Sequence, residues 1–201
     1  MSELHISRRA TLSSLSMLGL AACAAPVVGP TGKPADGNAL AEAMAADPRL
    51  STFVSIIQLQ GMWRTLRGST REYTIFAPVN SAFDKLPRGW RSTIVPTNSS
   101  VNGGFDNRAR VIGLLRMHFV GGSYPPSAFA GQSQNVKTLA GTEFVADGTV
   151  PGRITISLRP TMETGIGFPM PEEEPAPINV LMPPIGTAGG WIYPIDAVAI
   201  Q

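Results

Sequence analysis

Apolar side chains at Leu50, Phe53, Val54 and Ile57 fall at i, i+3, i+4 and i+7, the spacing that lines one face of a helix and turns it toward a core. Asp47-Pro48 precedes them, a carboxylate suited to capping and a proline suited to the first helical turn, so Leu40–Met44 forms a separate helix before that break. Gly61 ends the second helix, and Met62–Leu66 makes one more short turn. Tyr73-Thr74-Ile75-Phe76 is aromatic and β-branched, as a strand requires, and Pro78 stops it. Asn80 then stands as the N-cap of a short helix carrying Phe83 and Leu86 on one face, which Pro87 ends. Beyond a polar loop over 98–104, Asp106 caps a helix through Val111, Ile112, Leu114 and Leu115. That helix runs straight into a strand, Met117–Val120, closed by Gly121-Gly122.

The second half reads as strands: Val136–Leu139, Glu143–Ala146, Ile154–Leu158, Ile178–Met182 and Trp191–Ile200. Between them, Arg159–Pro177 is dense in Pro, Gly and acidic residues, a composition that suits neither a strand nor a packed helix, and predicts an exposed hairpin insertion near 160–177. The expected class is α+β, a single domain with a helical N-terminal half and a β-rich C-terminal half.

Composition narrows this picture. With 201 residues, 43% hydrophobic and 15% charged, the chain supports one core; 18 prolines and 21 glycines exclude a plain helical bundle. The first residues read separately from the rest: a polar start ending in Ser7-Arg8-Arg9, an apolar run over Ala10–Ala22, then a lone cysteine, Cys23. The run is shorter than the roughly 20 residues of a spanning helix and holds four hydroxyl side chains, so it reads as an export signal over residues 1–22 rather than a membrane span. From Cys23 onward 14 Lys and Arg face 13 Asp and Glu, close to neutrality. Arg64, Arg67 and Arg71 form the densest basic group, short of the sustained stripe that binds nucleic acid, so no nucleic-acid partner is expected.

Leu20-Ala21-Ala22-Cys23 resembles the lipobox of bacterial lipoproteins, which implies acylation of Cys23 and a membrane anchor formed by its lipid chains. Residues 23–37, rich in Pro, Gly and Ala, would then be a lipidated tether ahead of a domain over 38–201. Ser7-Arg8-Arg9-Ala10-Thr11-Leu12 is similar to the twin-arginine export motif, with Thr11 where that family has Phe. Together these resemblances imply an exported, envelope-anchored protein; Ala24, rather than Asp, after the anchor resembles outer-membrane cargo.

Four segments resemble the fasciclin (FAS1) family. Tyr73 to Phe83 is similar to its T-x-F-A-P-T-N-x-A-F signature, Leu114 to Gly121 to its L-L-x-x-H-V-V-x-G segment, Lys137 to Gly141 to its T-L-x-G step, and Gly190 to Val198 to its closing strand. The resemblance implies a fasciclin-like domain, a helical N-terminal half with a small twisted β-sheet wedge, used for adhesion or interaction, with Phe76, Pro78, Asn80, Phe83, His118 and Asp196 as structural signature positions. Two departures stand out. Pro183-Pro184-Ile185 replaces the acidic residue followed by Ile that is associated with recognition in animal members, and Tyr193 stands where many members have His.

Chemistry is sparse. His5 leaves with the leader, so His118 is the only imidazole of the mature chain, and its apolar neighbours predict a packed, hydrogen-bonded histidine. One His and one acylated Cys do not supply a zinc or copper site, and Met162, Met170 and Met182 read as packing residues. Glu172-Glu173-Glu174 lacks the alternating ligand spacing of a calcium loop, and the glycine pairs match no phosphate-cradling motif. The expectation is no catalytic residue, metal or cofactor, and an interaction module that binds a protein or glycan. Its contacts would lie in exposed loops, Thr161, Glu172, Glu173 and Glu174 foremost. The competing reading is a small-molecule or hydrolytic site in a cleft beside His118.

Overall fold

The structure is a computed structural model and describes residues 36–87, 91, 94, 105–159 and 176–200. The expected leader, tether and lipid site (Arg8, Arg9, Cys23) and the insertion residues Thr161 and Glu172–Glu174 lie outside these residues.

The helical half opens with α1 (Gly37–Ala46), capped by Asp36, whose side chain accepts from the backbone N–H groups of Asn38 and Ala39. Within the described residues α1 starts one residue ahead of Asn38, where the domain was expected to open. Gly37 is itself buried, and a Cβ there would overlap the Leu66 carbonyl oxygen, so only glycine lets α1 sit this close to α3. Asp47 starts a 3-10 turn (Pro48–Leu50) that leads into α2 (Ser51–Leu59), and α3 (Met62–Arg67) follows after Gly61. Strand β1 (Tyr73–Pro78) precedes the short α4 (Asn80–Asp84), and α5 (Phe105–Met117) starts one residue ahead of its expected cap.

The sheet-rich half comprises β2 (Phe119–Gly121), the short α6 (Pro126–Phe129), β3 (Ser133–Lys137), β4 (Glu143–Asp147), β5 (Thr155–Leu158), β6 (Ile178–Asn179), β7 (Ile185–Thr187) and β8 (Gly190–Ile195). Two four-stranded sheets result, in the orders β2-β1-β8-β7 and β3-β4-β5-β6. β1 and β8 run parallel with Ile75 opposite Ile192 and Phe76 opposite Tyr193; every other pairing is antiparallel. Single bridges, Val120 to Thr138 and Val180 to Ile195, join the sheets.

The period of two along β1 explains why there are two cores. Ile75 and Ala77 face the helices, joining Leu40, Phe53, Ile57, Val111 and Leu115, whereas Phe76 faces the second sheet with Phe129, Phe144, Ile156 and Tyr193. The first sheet is thus the middle layer of three, covered on both sides, which is what a parallel strand pair demands.

Three strand expectations change. The strand expected over Ile178–Met182 is only β6 plus the Val180 bridge, and the one expected to Ile200 ends at Ile195, because Asp196 turns its backbone and carboxylate onto Asn179. β3 starts three residues earlier than expected and ends at Lys137. β7 had no strand signal, with Pro183-Pro184 just ahead of it and Gly186 at its centre. A Cβ on Gly186 would come within 2.9 Å of the Trp191 ring, so a larger residue there displaces that ring.

Candidate functional site

His118 lies in the turn between α5 and β2, not on a strand as expected, because the largely apolar stretch Leu114–Val120, interrupted by Arg116 and by His118 itself, carries no breaker where helical bonding stops. It is fully buried. Its Nδ1 lies 2.9 Å from the Leu114 carbonyl oxygen, and its Nε2 accepts from the Ala199 N–H at 3.1 Å. One nitrogen meets an acceptor and the other a donor, so the ring is the neutral Nδ1–H tautomer with both sites used. Burial pushes its pKa down to about 4, against a smaller opposing effect of the Leu114 carbonyl. The Phe53 ring packs 5.7 Å away. An imidazole held in this way joins the helical layer to the end of the chain; it is not placed to shuttle protons to a substrate.

Asn80 is not the cap of its own helix. The N-cap of α4 is Val79, and Asn80 turns instead to α2, where Leu50 at the N-cap offers no side-chain acceptor. The Asn80 Oδ1 accepts from Thr52 N–H at 2.9 Å, and its Nδ2 donates to the Pro48 carbonyl at 2.9 Å, so one amide satisfies α2 and the turn before it from about thirty residues away. Asp196 plays a comparable part at the far end. It accepts from the Asn179 N–H and Nδ2 at 2.9 and 3.1 Å, while Lys85 Nζ stands 3.5 Å away. Burial raises its pKa, but the Asn179 hydrogen bonds and Lys85 outweigh that, leaving the carboxyl below its ordinary range. Phe76 stacks between Phe144 and Tyr193, with centroids 6.0 and 5.5 Å away; Pro78 ends the β1 ladder opposite Ile195; and Phe83 is buried against the helices. Tyr193, in place of the family histidine, is buried and donates its hydroxyl to the Tyr124 carbonyl at 2.7 Å, and burial raises its pKa.

Glu72 is a different case. Both its carboxylate oxygens are buried with no hydrogen-bond partner, and burial raises its pKa. No group of three or more His, Cys, Asp or Glu that could hold a metal occurs among the described residues.

Two recesses stand out on the described surface, and His118 lines neither. The smaller, about 190 Å³, is formed by Asp147, Val150, Arg153, Thr155 and Pro177, at the root of the insertion. The larger, a shallow one of about 450 Å³, is formed by Asn38, Trp63, Arg64, Arg67 and Gly68. There, Arg67 Nε donates to Asn38 Oδ1 at 2.7 Å, and Asn38 Nδ2 donates to Glu42. Trp63 is half-buried on the α1–α3 packing and Arg64 is exposed, with no ion pair to any described residue. Exposed large apolar side chains (Leu59, Leu139, Val150, Met182) come from four separate segments.

This recess was missed because its members come from both ends of the helical half. A charge count by halves would have pointed to it: residues 36–117 hold ten Lys and Arg against six Asp and Glu, while 118–201 hold three against seven.

The fasciclin domain family matches residues 48–201, more than half of the chain. The chain belongs to the fasciclin family. The folded body of this fasciclin domain extends ahead of the matched span, since α1 packs against α3 and against the β7–β8 edge. No curated protein sequence matches the chain. Among solved structures, a FAS1 domain pair from the insect cell adhesion molecule fasciclin I is similar, with a TM-score of 0.58 and 15% identity. The alignment covers 85% of this chain and 52% of that one, so this chain spans about half of the insect pair. That likeness carries the fold: helices over a small sheet wedge, as expected.

Proposed function

We propose that this fasciclin domain is a non-catalytic interaction module, exported and tethered to the bacterial cell envelope through an acylated Cys23, that captures a protein or glycan partner. The observation that carries the reading is the state of His118: the one imidazole of the expected mature chain is sealed in the interior with both nitrogens bonded, so it is spent on structure. The described recesses are shallow and far from enclosing a small molecule, which suits recognition by surface complementarity rather than by a cleft. Adhesion is what the insect relative is named for, and membership of the family supports a related role here.

The test is affinity capture from intact envelopes with the full chain as bait. A reproducible protein or polysaccharide partner supports the proposal, whereas turnover of a small ester or amide that is lost in His118→Gln sinks it. Tethering is tested separately by Cys23→Ser, which moves the protein from the membrane fraction to the soluble one if the anchor is lipid.

A further inference from the structure

We propose that the Trp63–Arg64–Arg67 recess, together with the exposed Arg71 three residues beyond Gly68, docks the domain onto the anionic phospholipid headgroups of the membrane that carries its anchor. The inference rests on the tethered reading of the previous section and adds which face meets the bilayer.

Three observations converge on it. The first is charge: Arg64 and Arg67 line the recess, Arg71 follows in the turn after Gly68, and all three are exposed. They belong to the half with an excess of Lys and Arg, whereas the residues from 118 onward carry the acidic excess. The second is side-chain type. A half-buried Trp whose ring edges a cluster of guanidinium groups is the combination that settles at the boundary between headgroups and acyl chains, where the indole is amphipathic and Arg pairs bidentately with phosphate. The third is where the chain comes in. Asn38 lines the recess and is bonded to Arg67, so residues 36–38, at which the described body starts, lie at the rim of this face. Twelve residues lie between Cys23 and Asp36, and thirteen steps at ~3.3–3.6 Å reach at most ~45 Å. An anchor at Cys23 therefore stays within that reach of the rim of this face, and the arginines supply the preference for turning it to the bilayer.

The consequence for function is orientation. With the arginine face down, the sheet wedge, whose described residues balance three Lys and Arg against three Asp and Glu, and the root of the 160–177 insertion turn away from the membrane toward a partner.

Full-length protein carrying Cys23→Ser, which has no acyl chains, is sedimented with vesicles of phosphatidylcholine alone and of phosphatidylcholine with phosphatidylglycerol. The expected result is preferential binding to the phosphatidylglycerol vesicles that falls away at high salt. Each arginine near an anionic surface contributes about a fivefold factor, so R64Q/R67Q/R71Q weakens that preference on the order of a hundredfold. R64Q/R71Q keeps the Arg67–Asn38 bond and gives an intermediate loss with an unchanged melting temperature, which separates docking from folding. Equal binding to both vesicle types, or a preference that the substitutions leave intact, overturns the proposal. So does arginine-dependent retention on a polyuronate resin without vesicle binding, which would assign the face to an acidic glycan. A wild-type protein found free of acyl groups would end the tethered reading without changing this vesicle result, so the two failures are distinguishable.

Discussion

The helical half and the sheet-rich half of this domain are held together in different ways. The second sheet is a run of antiparallel pairings in which each strand is bonded along its length to a neighbour, so no single side chain is indispensable. Helices α1 to α4 are short, and single groups fasten the helical layer: Asn80 closes α2 from about thirty residues away, His118 ties the last turn of α5 to Ala199, and Gly37 admits the approach of α1 to α3. Short helices gain little from propensity and depend on tertiary contacts. The lesson is that the polar signature residues of this half act as clasps between elements, and that substitutions should separate the two halves by the size of their effects.

The largest effect belongs to the seam. Gly190 has φ +126° and a Cβ there would overlap the Tyr73 carbonyl oxygen, so Gly190→Ala forces β8 away from β1. A loss of about 4 kcal/mol or outright failure to fold is expected from urea unfolding followed by circular dichroism. His118→Leu comes next at about 3 kcal/mol, since a ring of similar bulk is lost and the Leu114 carbonyl and Ala199 N–H remain buried without partners.

The same residue sets a pH dependence. Its folded pKa, about 4, lies below the ordinary 6.5, so between those values the unfolded chain takes up a proton that the folded one refuses. The stabilisation is present above pH 6.5 and drains away as pH falls to 4, on the order of 3 kcal/mol in all. His118→Leu should flatten that part of the stability curve.

Asn80→Ala, which uncaps α2, should cost about 1–2 kcal/mol. Asn80→Asp keeps the acceptor for Thr52 N–H but turns the donor facing Pro48 into a second acceptor, and should fall between. Glu72→Gln runs the other way: the buried carboxylate has no partner, so removing its charge should raise the melting temperature at neutral pH by a few degrees. The sign reverses that of His118. A Glu whose pKa is raised on folding is least costly below its ordinary range and most costly once pH passes the raised value, so the gain should vanish in acid. Smallest is Asn135→Thr on exposed β3, expected within about 0.5 kcal/mol of the parent. An effect as large as that of Asn80→Ala would erase the contrast between the halves.

Legibility in the sequence follows the same division. Periodicity and breakers located α2, β1 and the strands from β3 to β5, because those elements are specified by neighbouring residues: Leu50 to Ile57 by helical spacing, Tyr73 to Phe76 by side-chain shape. What escaped was specified from afar. Asn80 has the position of a local cap, and only the fold brings Thr52 closer than its own helix. β7 is short, preceded by two prolines and centred on a glycine, and exists because β8 offers it an edge with Trp191 laid across Gly186. The arginine recess needs Asn38 and Arg67 together, a contact across twenty-nine residues that no local pattern announces.

The pairing of β1 with β8 also has a bearing on how the domain is made. The middle layer is completed by residues 190–195, made more than a hundred residues after the strand 73–78 beside which they lie. Until then β1 has one open edge. Contacts this far apart in sequence form slowly. The keystone of the middle layer is thus made long after the strand it closes, and any chain that stops short of Gly190 should be a substrate for chaperones and proteases rather than a smaller version of the same fold.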